Sequence, residues 1–203
     1  MTKNKLSHET AQRLILGSSS PFRKELLSRL GLIFDTESPD IDESQQSEET
    51  ASQLVERLSI DKAKKIAETH KDALIIGSDQ VAIIDELILG KPGTIENAQQ
   101  QLKNASGKTV KFLTGLCLLN ARTGRYQVDI VPYFVHFRDL TDSQIKAYVE
   151  KEQPLNCAGS FKSEALGVAL FQKMSGEDPT ALIGLPLIRL VSMLKQENVE
   201  VLT

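Results

Sequence analysis

The chain has 203 residues, 40% of them hydrophobic, with a formal net charge of −3 and two cysteines. That apolar content suffices for one sizeable core, while the acidic balance excludes general binding along a nucleic-acid polymer, which needs Lys and Arg massed on one face. Cys117 and Cys157 form no CxxC or metal-ligand pair and read as small buried hydrophobes in a reducing compartment.

The opening MTKNKLSHETAQR is polar and lacks the apolar stretch of a secretory signal. Residues 1–12 are therefore expected to be a tail ahead of a single domain at 13–203. No apolar run approaches the ~20 residues of a membrane span, so the expected location is the cytoplasm, with no membrane partner. A first strand is predicted at Arg13–Gly17, followed by a helix with Ser20 as N-cap, Pro21 at its first position and Gly31 past its end. A second strand near Ile33–Glu37 leads into the acidic loop SPDIDES, and a long helix is expected over Thr50–Thr69 with Leu54, Val55, Leu58, Ile66 and Ala67 on one face.

ALIIGSDQVAIID reads as a buried strand, a break at Gly77-Ser78-Asp79, and further extended chain. GKPGT is a turn into a helix at Ile95–Ala105, capped by Thr94 and stopped near Gly107. KTVKFLTGLCLLN and YQVDIVPYFVHFRDL flank a turn at ARTGR and form a hairpin, with Val131, Tyr133, Val135 and Phe137 alternating toward one buried face. TDSQIKAYVEKE is a helix capped by Thr141, AGSFKSEALGVAL is read as strands, and Pro179–Asn198 as mostly one final helix. Alternating strands and helices with a hairpin define an α/β class with a mixed sheet.

Several polar groups stand where apolar strands end, the usual place for ligands in open α/β sheets. Asp79 follows LIIGS and reads either as a turn residue beside Gly77 or as a metal ligand or general base. Glu43 is the natural second carboxylate, with the solvated charge of an acidic loop as its other reading. Lys91, between Gly90 and Pro92, and Lys162, after GSF, are cations in tight turns. Arg23 follows a capped helix start, whose free N–H groups and Ser18 hydroxyl suit an anion. Arg57 and Lys62 lie in a helix, where most cations are solvated. No GxxxxGK[ST] and no GxGxxG before a helix is present. Spacing alone reaches a phosphate-handling α/β protein.

The motifs SSSPFRKELL, PDIDES, LVERLSIDKA, IIGSDQ, GKP, ASGKTVKFLTG and GSFKSE occur in the order and approximate spacing of the Maf family of nucleoside triphosphate pyrophosphatases, which the chain resembles almost throughout. The resemblance implies a mixed elongated sheet with flanking helices, two lobes around a nucleotide cleft similar to that of the inosine triphosphatases, and a homodimer. It implies hydrolysis between the α- and β-phosphates with a divalent metal, Mg or Mn. Asp79 then matches the catalytic carboxylate and metal ligand, Glu43 its acidic metal partner, and Ser18, Arg23, Lys62, Lys91 and Lys162 the phosphate path.

Three positions resemble one subgroup, which acts on 7-methyl-GTP: Phe22 where SPRR is commoner, Gln80 where threonine follows the aspartate, and Glu164 where pyrimidine-preferring members carry glutamine. N7-methylation makes guanine cationic, which an aromatic face at Phe22 attracts. Glu164 could accept the N1–H and 2-amino donors of guanine. The competing readings are Phe22 as helix core and Glu164 as a surface charge. At the level of function they are a pyrophosphatase for dTTP, UTP or a broad range, or a nucleotide-binding regulator of septum formation.

Overall fold

Seven strands form one mixed sheet in the order β2-β1-β3-β5-β6-β7, with β4 pairing to β3. They are β1 (Arg13–Gly17), β2 (Asp35–Glu37), β3 (Ala73–Ile84), β4 (Leu87–Leu89), β5 (Thr109–Asn120), β6 (Arg125–Phe137) and β7 (Phe171–Gly176). The helices are α1 (Pro21–Ser28), α2 (Ala51–Ala67), α3 (Ile95–Ala105), α4 (Asp142–Glu152), α5 (Pro179–Ile183) and α6 (Leu187–Gln196). This computed structural model describes residues 12–202, so the tail expected over residues 1–12 lies, but for Gln12, outside the described residues. Among the described residues no helix is long and apolar enough to cross a membrane.

The β1–β2 and β1–β3 pairs are parallel; every other pairing is antiparallel. Strand alternation sorts the core by face. Leu14, Leu16, Leu74, Ile76, Leu116 and Leu118 pack under α1 and α6, while Ile15, Ile75, Cys117 and Leu119 pack against Ala63 and Ile66 of α2. Farther along the same strands, Ala82, Phe112, Tyr133, Val135 and Phe137 form a second core with α3, α4, Phe161 and Phe171. Two lobes thus share the long strands β3, β5 and β6.

The lobes part at one place in the hydrogen-bond ladder. Strand β5 covers one edge of β3 from Leu74 to Ile83. On the other edge β1 ends at the Gly17–Gly77 pair and β4 begins at the Ala82–Leu89 pair. Residues 78–81 therefore present an uncovered edge, the kind of switch in strand partner at which α/β sheets take ligands.

The predicted caps Ser20, Thr94 and Thr141 hold, and Thr50, expected inside the helix, caps α2: each accepts a backbone N–H of the following first turn, and Thr50 and Thr141 form full capping boxes. Four expectations need correction. β3 runs unbroken through Gly77-Ser78-Asp79, because Gly77 is not a turn residue there. A Cβ on Gly77 would collide with the Ser59 carbonyl of α2, and one on Gly115 with the Val55 carbonyl, so the two glycines let the helix settle onto the sheet. β2 is confined to Asp35–Glu37, with Ile33 exposed.

The AGSFKSEALGVAL segment forms two 3₁₀ turns, Ala158–Ser160 and Leu166–Leu170, rather than strands, and β7 follows it. Gly159 and Ser160 have positive φ, and a Cβ on Gly167 would collide with the Lys162 carbonyl, which no extended chain would do. The final helix is two, α5 and α6, interrupted where Gly184 takes φ 119° ahead of Pro186. The β3–β4 hairpin, turning at Asp85 and Glu86 with positive φ, was not anticipated as a separate strand pair.

Candidate active site

The uncovered edge of β3 opens into a cleft of about 880 Å3 between the lobes. The residues expected at the site lie on its wall, Ser18, Phe22, Arg23, Glu43, Lys62, Asp79, Gln80, Lys91, Lys162 and Glu164, while Arg57, the other cation weighed from sequence, does not. They come from six separate segments, so only the fold assembles them.

At the centre, Lys62 reaches down from α2 where Gly77 and Gly115 admit the helix. Its Nζ donates to Asp79 Oδ1 at 2.7 Å and lies 2.7 Å from Glu43 Oε1. The Lys62 and Asp79 side chains are 6% and 11% exposed, whereas Glu43, on the loop before α2, is 55% exposed. Burial works to raise the Glu43 carboxyl, but the Lys62 hydrogen bond and the charges of Lys62, Lys91 and Arg23 outweigh it and hold the group below its ordinary range.

The α1 start forms the adjoining wall. Ser18 Oγ accepts the Ser20 N–H at 3.1 Å, and Ser20 Oγ accepts the Arg23 N–H. Arg23 Nε donates to the Gly184 carbonyl at 2.8 Å, and its Nη1 lies 3.5 Å from Ser18 Oγ. Burial lowers the Arg23 guanidinium below its usual value, with Asp79 and Glu43 pulling the other way. The Gly184 carbonyl also lies 3.0 Å from Ser78 Oγ, whose single proton is shared between it and the Gly115 carbonyl.

Two of the expected residues are partly occupied. Gln80 commits its amide nitrogen to Thr114 and to the Ala181 and Leu182 carbonyls, so it can offer a ligand only Oε1. The Lys162 ammonium donates to the Glu152 carbonyl at the C-terminus of α4 at 2.7 Å, and its backbone N–H donates to the Tyr148 hydroxyl. Lys91 is exposed in the turn after β4, with no carboxylate within ion-pair distance among the described residues. Glu164 is exposed and accepts only from its neighbour Ser163, at 3.2 Å, while Phe22 is half-buried on the α1 wall.

Sequence reasoning missed Phe112 and Phe161, which line the cleft and meet edge to face at 5.4 Å and 75°. They add an apolar surface on the second lobe, and nothing in their local spacing marks it. It also missed Gly184, whose signal was available: GLP interrupts an otherwise apolar helical run.

The donor set suits a hard divalent cation in a particular way. Among the described residues no three His, Cys, Asp or Glu side chains gather to cage a metal. Two carboxylates, Glu43 and Asp79, do converge on one point. Magnesium sites are commonly of this kind, one or two carboxylates with substrate phosphates completing the shell.

A fold that opens a mixed sheet at its centre and fills the gap with cations, carboxylates and a capped helix start defines a phosphate-ester or anhydride-handling α/β protein. A family model described as Maf-like protein matches residues 13–197, and the chain belongs to that family. A 7-methyl-GTP pyrophosphatase of Pseudomonas aeruginosa is 60% identical over 188 residues, 93% of this chain and 98% of its own length. Proteins of the same name from Alcanivorax borkumensis and Methylobacillus flagellatus are each 56% identical, over 92% and 93% of this chain and 95% and 98% of theirs. Among solved structures, the Staphylococcus aureus Ham1 protein aligns over 77% of this chain and 90% of its own, with a TM-score of 0.45 and 14% identity.

Proposed function

We propose that the protein hydrolyses 7-methyl-GTP between its α- and β-phosphates, releasing 7-methyl-GMP and pyrophosphate, with residues 13–203 acting as one domain. The observation that carries the reading is the Lys62 ammonium set between Asp79 and Glu43 at the uncovered edge of β3. The 60% identity to the Pseudomonas aeruginosa protein of that name supports the substrate.

Water attacks a polyphosphate slowly because the phosphate oxygens repel it and nothing takes its proton. Here Lys62, Lys91 and Arg23 supply positive charge to the phosphate path, together with the Ser18 hydroxyl and the positive end of α1. Lys162 joins them by exchanging the Glu152 carbonyl for a phosphate oxygen. Asp79, anchored by Lys62, orients the water and accepts its proton. Glu43 and Asp79 would hold a Mg or Mn ion, which when bound neutralises charge on the phosphate oxygens.

The base is assigned to Phe22, Glu164 and Gln80 on the same cleft wall. Phe22 gives the cationic methylated ring an aromatic face, Glu164 accepts from its N1–H and 2-amino group, and Gln80 offers Oε1.

Phosphorus NMR of the reaction mixture tests the chemistry: monophosphate and pyrophosphate should rise together, and orthophosphate alone contradicts it. Asp79→Asn should keep nucleotide binding while losing about 10²- to 10⁴-fold in turnover. A wild-type protein that binds nucleotides and never turns them over would favour the regulator reading instead.

A further inference from the structure

Glu43 approaches Lys62 from an irregular segment, residues 38–50, between β2 and α2. Part of the hydrogen bonding of this segment stays within it. The Ser44 N–H and hydroxyl both donate to Asp42, Gln45 Nε2 donates to the Glu49 carbonyl, and the Gln46 N–H donates to Glu49 Oε2. On one side of Glu43, Ile41 packs against the apolar residues of α2 and β5. On the other side the tie to the body of the protein is Arg57 of α2.

Its Nε and Nη2 donate to the two Glu49 oxygens at 2.6 and 2.9 Å, and Nη2 also donates to the Ser44 carbonyl at 3.0 Å. Arg57 and Glu49 are 21% and 7% exposed, so the pair is largely shielded from water. A planar fork matched to a carboxylate, with a further donor on the next carbonyl, fixes orientation as well as distance.

We infer that Arg57 is a positioning residue, which acts through Ser44 and Glu49 to hold Glu43 beside Lys62 and Asp79. The inference rests on the proposed hydrolysis in this cleft and assigns a part in it to a residue whose sequence reading is a solvated helical cation. The clamp stays charged through any working pH: the Arg57 hydrogen bond, against a smaller effect of burial and with help from the Gln46 N–H, holds the Glu49 carboxyl at about 2.

The test is a double-mutant cycle in the full-length protein, using whichever nucleotide it turns over. Arg57→Ala should lower kcat about 10- to 100-fold, the scale of a misplaced catalytic group, with KM for the nucleotide nearly unchanged. In a Glu43→Gln background the same substitution should cost less than about 2-fold, because there is no carboxylate left to position. Glu49→Gln, which leaves α2 untouched, should reproduce the pattern with a smaller loss and serves if Arg57→Ala fails to fold. Equal losses in both backgrounds would overturn the positioning role and leave the proposed function standing. An unchanged rate in Glu43→Gln alone would overturn the positioning role too, since Glu43 would then take no part, while the hydrolysis itself would stand.

Discussion

At the scale of residues, the site is organised by an ammonium rather than by its carboxylates. Asp79 and Glu43 both lie 2.7 Å from Lys62 Nζ, and the ammonium offsets the repulsion that two carboxylates at one point would feel. The proposed base contact is Phe22, which stands half-buried on the wall that also carries Arg23. A ring face attracts a cation by about 0.5–2 kcal/mol, more where water is excluded. Replacing Phe22 with arginine removes that attraction and sets charge against charge. Phe22→Arg should lower kcat/KM for 7-methyl-GTP about 2- to 30-fold relative to GTP, the same range expressed as a ratio. Paired steady-state assays measure it, and an unchanged ratio would make Phe22 a packing residue of α1. Neither Lys62 nor Phe22 is marked by its own neighbourhood in the sequence. A lysine in a helix is normally solvated, and a phenylalanine on a helix stripe normally faces a core. Motif order singled them out, and the tertiary fold shows what they adjoin.

At the scale of elements, α2 and β3 do most of the placing. Their contact is close enough that Gly77 and Gly115 have no room for a side chain, and this approach lets Lys62 reach Asp79. The obstacles are backbone carbonyls, which cannot swing aside as a flexible side chain would. Gly77→Ala should therefore destabilise the fold by at least about 2 kcal/mol. Urea unfolding would show it as a lower midpoint at an unchanged slope, and a variant as stable as the wild type would contradict the packing described.

The same contact explains what the sequence conveyed and what it concealed. Asp79 was legible as a carboxylate at the end of an apolar run, and three N-caps, Ser20, Thr94 and Thr141, as Ser or Thr before helical patterns. The continuity of β3 was not legible, because glycine followed by serine and aspartate carries the local signature of a turn. Only a helix pressed against the strand reveals the other use of glycine. The break between α5 and α6 was visible in GLP, yet its purpose, a carbonyl offered to Arg23 and Ser78, is a matter of tertiary placement.

For the whole molecule, the cleft and the fold share a dependence on ionised carboxylates. Four of them are held below their ordinary values of 3.8 or 4.5. Asp42 is lowered by Ser44, Glu49 by Arg57 and Asp72 by Arg122, and at Glu43 the opposing effect of burial is outweighed by Lys62. A carboxyl with a lowered folded pKa gives stability that is fully present above its unfolded value and lost as pH falls through its folded one. Between those limits the unfolded chain binds more protons, so stability rises with pH. The urea midpoint should be flat from pH 7 to about 5.5 and decline below about pH 4.5; a midpoint that stays level down to pH 3 would contradict these ion pairs and hydrogen bonds.

The two lobes share β3, β5 and β6, and the cleft between them sits where β3 changes partner from β1 to β4. The most direct measurement is kcat/KM for 7-methyl-GTP, GTP, dTTP and UTP with the purified protein and magnesium. The methylated nucleotide should lead the series, with one pyrophosphate released for each 7-methyl-GMP. A preference for dTTP or UTP, or no turnover of 7-methyl-GTP, would contradict the account.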